Sequence, residues 1–276
     1  MNASGWMGSR VAIRPTDPAD YEFLYGLALD PEIAPRWRYR GSFPERTQFG
    51  QSLTGGVLVQ FTVISERNPG TLIGLVTTYN DNLRDGFAYL AALSDPKWLQ
   101  TGHIIEGIEL LLNYVFEVWP LRKVYLEAID FNREQFKYLP NGLGAEEGRL
   151  TEHVFHGGRY WDLVTLAITR EAWLSFEARR RARAGEYREE AGVTLSLDEF
   201  WRRVAGELSL PIGPETGPET ALADLGFDSM AMVELAVLID DLTGTELDWT
   251  TLPETVRDAY TWYSTAASVP KDLTVL

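Results

Sequence analysis

The sequence predicts two unlike folded parts: a mixed α/β domain, then a small all-α helical bundle. Three observations carry that reading. Through the first two thirds of the chain, short β-rich runs alternate with stretches of helical periodicity. From Val193 onward only helical periodicity remains. Charge divides at the same place: of 25 Lys+Arg and 40 Asp+Glu, Val193–Leu276 holds 4 and 15.

Taken in order, Arg10–Arg14 reads as an opening strand and Asp17–Leu29 as a helix. Asp17-Pro18 supplies an N-cap followed by a proline whose missing N–H is no loss in a first turn. Val57–Ser65 and Leu72–Tyr79 are β-rich, and the turn signal Asn68-Pro69-Gly70 between them predicts a hairpin. Gly86–Leu93 is the next strand. His103–Val118 is an amphipathic helix: Ile104, Ile108, Leu111, Leu112 and Val115 keep helical spacing, while Glu106, Glu109, Asn113 and Glu117 share the opposite face. Lys123–Ile129 and Tyr160–Ile168 return to strand. Glu171–Gly192 is Ala/Arg-rich with balanced charges and ends in glycine, which suits a solvated helix or tether. In the bundle, Leu197, Phe200, Trp201, Val204 and Leu208 line one helix face. A Pro/Gly loop follows, then helices over Met230–Leu242 and Leu252–Tyr263.

Composition excludes several functions. A formal charge of −15 opposes binding to nucleic acid or to an anionic membrane surface. With no cysteine, disulfides, thiolate metal sites and a protein-borne thiol nucleophile are ruled out, and a reducing cytoplasm is the expected location. The only histidines are His103, His153 and His156, and no metal-ligand motif surrounds them, so no metal is expected. The N-terminal residues contain no apolar run of signal-peptide length.

The most informative segment is Leu225-Gly226-Phe227-Asp228-Ser229 followed by Met230, Val233, Glu234 and Leu235. It puts Asp228-Ser229 at the start of an apolar helix, where free N–H groups and the positive dipole end favour an attached phosphate. This pattern resembles the attachment site of phosphopantetheine carrier proteins. The resemblance, over about residues 194–265, implies a 4′-phosphopantetheine arm on Ser229, with Asp228 beside it. It also implies an acidic docking surface around Glu234, Asp240 and Asp241.

The first part resembles the GNAT superfamily of N-acyltransferases, closest to its ribosomal-protein-alanine acetyltransferase branch. The matches are Asp95-Pro96 with Gly102, Glu106 and Gly107, then Asp130-Phe131-Asn132, Glu147-Gly148, Gly157–Asp162 and Thr169–Trp173. The resemblance implies a GNAT fold over residues 8–175, with a mixed central sheet whose parallel neighbours splay near Ala91–Ser94 and Lys123–Asp130. A linker over 176–192, a carrier domain over 193–268 and a tail over 269–276 complete the expected organisation. Pantetheine and phosphate contacts are then expected at Ala92, Leu93, Ser94, Gln100, Thr101, Gly102, His103 and Ile104. Candidates for proton transfer are Tyr138 as the acid for the leaving thiolate, Asn132, and Asp130 with Glu127 through water. His153 and His156 alternate with Val154 along a strand, are expected to share a face, and offer a base.

Two departures shape the expected function. Gln100 stands where that branch usually has a glycine, crowding the approach of a pyrophosphate. Gln135 stands where many relatives carry a serine. A carrier arm presents pantetheine on a single phosphate, and fusion raises its local concentration to about millimolar. The expectation is therefore transfer of an acyl group from the Ser229 thioester to a small-molecule amine in natural-product biosynthesis. The reverse arrangement has acyl-CoA acylating an amino acid tethered on the carrier, or loading the arm by S-acyl transfer. A non-catalytic scaffold is the alternative of another class. The implied partners are a phosphopantetheinyl transferase and an acid-activating ligase or other loading enzyme.

Overall fold

The computed structural model describes residues 6–35, 37, 39–66, 68–99, 101–131, 143–190, 195–208, 216–227, 229–243 and 253–268. The chain divides into two units, Met1–Phe176 and Glu177–Leu276.

The first unit is built on seven strands: β1 (Val11–Pro15), β2 (Val57–Ser65), β3 (Leu72–Asn82), β4 (Phe87–Ser94), β5 (Lys123–Ile129), β6 (Ala145–His156) and β7 (Arg159–Thr169). They lie in the order β1-β2-β3-β4-β5-β7-β6. Only β4 and β5 are parallel. A parallel pair needs a long crossover, and α3 (His103–Val118) supplies it. The hairpin at Asn68-Pro69-Gly70 closes with Thr71 donating to the Asn68 carbonyl at 2.7 Å. The β6–β7 hairpin turns on Gly157-Gly158, both in the left-handed region (φ +61° and +80°) that a tight two-residue turn requires.

Side-chain alternation along the strands sorts the helices onto two faces. Val76, Ala88, Leu90, Val124 and Leu126 pack with Ile108, Leu111 and Val115 of α3. The opposite parity, Leu75 and Leu93, packs with Leu24 and Leu27 of α1 (Tyr21–Leu29) and with Phe49 and Leu53 of α2 (Arg46–Thr54). Ile33 and Trp37, between α1 and α2, belong to that second cluster.

Most predicted elements appear within a residue or two. Helix α2 was not expected, because its sequence buries only Phe49 and Leu53 and shows little periodicity. Most of β6 also escapes a pattern reading: as an edge strand it exposes nearly every side chain. The Ala/Arg-rich stretch is helical, in α4 (Arg170–Glu190).

In the second unit, α5 (Leu197–Glu207), α6 (Ser229–Thr243) and α7 (Val256–Ala267) enclose Phe200, Val204, Leu235, Ile239, Ala259 and Tyr263. The third helix begins at Val256 rather than Leu252. Thr255 is its N-cap, and Thr255 and Asp258 form a reciprocal capping box. Among the described residues no helix is long and apolar enough to cross a membrane.

Candidate active site and carrier site

β4 and β5 pair from Phe87↔Lys123 to Leu90↔Leu126 and no further. Beyond that point β4 stays on β3 as far as Ser94↔Gly74, and β5 stays on β7 as far as Ile129↔Leu163. Ala91–Ser94 and Glu127–Ile129 therefore flank a gap within the sheet. Backbone amides left open this way need a partner, and an extended chain bearing amides of its own, such as pantetheine, fits the need. Gly74 fixes the outer side of the gap: a Cβ there would lie 2.0 Å from the Leu93 carbonyl oxygen. Ala92, Leu93 and Ser94 thus lie on the open edge.

The chain then runs into the start of α3. Asp95 caps a single turn at Pro96–Trp98, accepting from the Lys97 N–H at 3.0 Å. Thr101 Oγ1 donates to the Trp98 carbonyl at 2.7 Å. Gly102, at φ +76°, turns the chain into α3 and provides no side-chain cap. The dipole at the start of α3 favours an anion. His103 is buried, with Nδ1 2.7 Å from Thr101 Oγ1 and its ring 4.6 Å from that of Trp98. Thr101, Gly102, His103 and Ile104 are thus gathered at one helix start, while Gln100 lies outside the described residues.

Glu106 departs from the solvated face on which the sequence places it. It is buried, because α3 packs across the start of β1, and its carboxylate accepts from Arg10 Nε and Ser9 Oγ, each at 3.1 Å. The resulting Arg10–Glu106 ion pair ties the segment before β1 to the first turn of α3.

On the sheet face opposite α3, Tyr79, Tyr89 and Tyr125 stand side by side across β3, β4 and β5, with ring centroids 5.8 and 5.3 Å apart. This row follows from the register Tyr79↔Tyr89↔Tyr125 and leads to exposed Glu127 beside the gap. Burial, then the charge of Glu127 and neighbouring Tyr125, push the Tyr89 phenol above its ordinary pKa and keep it protonated. Lys123 Nζ donates to Glu147 Oε2 at 2.5 Å, which holds the Glu147 carboxyl below the usual range.

Of the proton-transfer candidates, Asn132 and Tyr138 lie outside the described residues, as does Gln135. The register of β6 shifts between Leu150 and Val154, so His153 lies in an irregular stretch and the expected shared face with His156 does not follow from strand alternation. His153 is exposed, whereas His156 stacks on Phe131 just past the end of β5, with ring centroids 4.8 Å apart. Asp130 is held in an ion-pair cluster: Arg149 reaches Asp130 at 3.3 Å, Glu146 at 3.0 Å and Asp162 at 2.9 Å. A shallow groove of about 980 Å³ around Trp119, Arg122 and Leu174 lies at the other end of β5 and holds none of these residues.

In the second unit, Gly226 at φ +84° ends a short turn, and Phe227 is buried with its ring stacked 6.1 Å from Trp201. Helix α6 begins at Ser229 itself. Asp224, on the approach to it, is exposed, and Asp228 lies outside the described residues.

Comparison with known proteins agrees with both halves. The profile of the phosphopantetheine attachment site matches residues 197–259. The uncharacterized SPbeta prophage-derived N-acetyltransferase YokL of Bacillus subtilis is 26% identical over 175 residues, 62% of this chain and 96% of that protein. Spermidine N(1)-acetyltransferase of Vibrio cholerae is 27% identical over 173 residues, 61% of this chain and 98% of its own length. The crystal structure of the Vibrio cholerae spermidine N-acetyltransferase in complex with CoA and spermine superposes with a TM-score of 0.53 at 26% identity, over 60% of this chain and 99% of that one. The chain thus joins a GNAT-like acetyltransferase domain to a phosphopantetheine carrier domain.

Proposed function

We propose that the protein is an N-acyltransferase of small-molecule biosynthesis in which one reactant is carried on Ser229. The observation that carries this reading is the open β4 edge over Ala91–Ser94, in a chain that also holds its own pantetheine attachment domain. The amine nitrogen attacks the thioester carbonyl, an amide C–N bond forms, and the C–S bond breaks. The amine gives up a proton and the departing thiolate takes one. Glu127, exposed on β5 beside the gap, is the described group suited to accept the amine proton through water. No side chain needs to become acylated, so a chain without cysteine suffices.

The gap takes the pantetheine of the carrier arm or of coenzyme A alike, so two directions follow. In one, Ser229 bears the acyl thioester and the amine is free. In the other, acyl-CoA fills the gap and the amine is tethered to Ser229 as an aminoacyl thioester. Arming of Ser229 requires a phosphopantetheinyl transferase, and charging the arm requires an acid-activating ligase.

Intact-mass analysis of the holo chain tests the function. Supplied with acyl-CoA and an aminoacyl-loaded arm, or with an acyl-loaded arm and free amine, one combination is expected to yield amide. If neither yields amide with any acyl group or amine, the acyltransferase reading fails and the scaffold reading replaces it.

A further inference from the structure

Glu106 is held from outside its own helix. Its carboxylate accepts four hydrogen bonds from two successive residues of the segment before β1. The Ser9 N–H and Ser9 Oγ donate to it, the latter at 3.1 Å. The Arg10 N–H donates at 3.3 Å and Arg10 Nε at 3.1 Å. Arg10 and Glu106 are 5% and 8% exposed, so the ion pair is largely removed from water, where an unpaired carboxylate is costly. The fit is close: a Cβ on Gly8 would lie 2.0 Å from Glu106 Oε1. Trp6 of the same segment packs on Tyr114 of α3, with ring centroids 5.3 Å apart, and on Phe61 of β2 at 4.8 Å. The segment is thus fastened to α3 at two places about two turns apart.

What the carboxylate fastens is the turn that opens α3. The Glu106 N–H donates to the Gly102 carbonyl at 3.1 Å and closes that turn. Gly102 is left-handed and has no side chain with which to steady it. Just beyond, α3 lies tight on β2, because a Cβ on Gly107 would come 2.9 Å from Val63 Cγ2. Charge matters as well as shape. Glu106 stands one turn, about 5 Å along the axis, from the helix start. Unpaired, its carboxylate would repel an anion bound there; beside Arg10 its charge is balanced.

We propose that Glu106, clamped by Ser9 and Arg10, is a positioning residue for the phosphate of the acyl donor. It acts through the helix, fixing the first turn of α3 and keeping its own charge neutralised, so that the turn meets a phosphate without rearranging. The inference rests on the acyltransferase reading above and on a donor phosphate at the start of α3. It adds the segment before β1 to what governs donor binding, although that segment is not part of the gap.

The test compares binding of coenzyme A with binding of pantetheine, which lacks the phosphates, to the full chain before it is armed. Calorimetry gives both dissociation constants, and their ratio isolates the phosphate contribution. A merely structural role would weaken both ligands alike and leave the ratio unmoved. Glu106→Ala is expected to weaken coenzyme A about tenfold while pantetheine stays within about twofold. Glu106→Gln keeps the shape and an acceptor for the Ser9 N–H, and is expected to recover part of the loss. Gly8→Ala pushes the carboxylate aside from outside the helix; since that carboxylate ends a flexible side chain, the fold is expected to survive. It should lower coenzyme A affinity about threefold, and it keeps the comparison open if Glu106→Ala does not fold. Equal losses for both ligands, or unchanged coenzyme A affinity in folded Glu106→Ala or Gly8→Ala, overturn the inference. A parent chain that binds coenzyme A no better than pantetheine overturns it too, while amide formation in the mass assay would leave the acyltransferase reading standing.

Discussion

Helix α3 of the first unit begins differently from α5 and α7 of the second. Helices α5 and α7 are closed by side chains: Ser196 with Glu199, and Thr255 with Asp258, form reciprocal capping boxes that satisfy the first N–H groups locally. Helix α3 begins on a left-handed glycine with no side chain to offer, and α6 begins on the serine expected to carry the arm. The difference separates helix starts closed by their own side chains from one opened by a left-handed glycine, where the dipole favours an anion.

Four measurements sharpen or break that distinction. The largest effect belongs to Ser229→Ala, which is expected to abolish arm loading by a phosphopantetheinyl transferase, read as absence of the mass gain, with no change in melting temperature. A marked loss of stability would show that Ser229 serves as a cap and would erase the contrast. Next, Gly102→Ala places a side chain at φ +76° and is expected to cost about 1–2 kcal/mol of stability. It is also expected to weaken coenzyme A binding about tenfold, measured by calorimetry. Unchanged affinity would argue that the start of α3 does not hold the phosphate.

Smaller and opposite in character is Thr255→Ala, expected to cost about 1 kcal/mol in denaturant unfolding of the helical domain. Arm loading and coenzyme A binding should stay as in the parent. The smallest effect is one of pH. Hydrogen bonds from Ser196 to Glu199, and from Thr255 to Asp258, hold both carboxyls below their usual range. A depressed carboxyl pKa gives stability that is fully present above the unfolded value of about 4 and is lost as pH falls through the folded one. Acid titration of the helical signal should therefore show an earlier loss once both caps are replaced by alanine, and no shift would deny the caps a role.

Much of this arrangement is legible in the sequence because periodicity is a local property. His103–Val118 announces itself by its apolar stripe, and Ser229 by a compact run of neighbours. What is not legible depends on partners distant in the chain. Glu106 sits in register with other polar residues of α3, and only the packing of α3 against β1 shows that it is buried beside Arg10. The different surroundings of His153, exposed, and His156, stacked on Phe131, depend on an irregularity of β6 between Leu150 and Val154 that no local pattern announces. Trp37 packs inward on Phe49 while Phe43, six residues on, is exposed, a difference set by partners across the fold.

The open stretch of β4 also bears on how long the protein survives. A strand edge without a neighbour invites pairing with other chains, and here it is exposed in the middle of a sheet rather than at its rim. Occupancy by a pantetheine group supplies the missing neighbour. At a ligand concentration of about 100 times its dissociation constant, binding adds about 2.7 kcal/mol to folding stability. If a pantetheine group occupies the gap as proposed, ligand-free protein is expected to be cleaved by protease faster than protein saturated with coenzyme A.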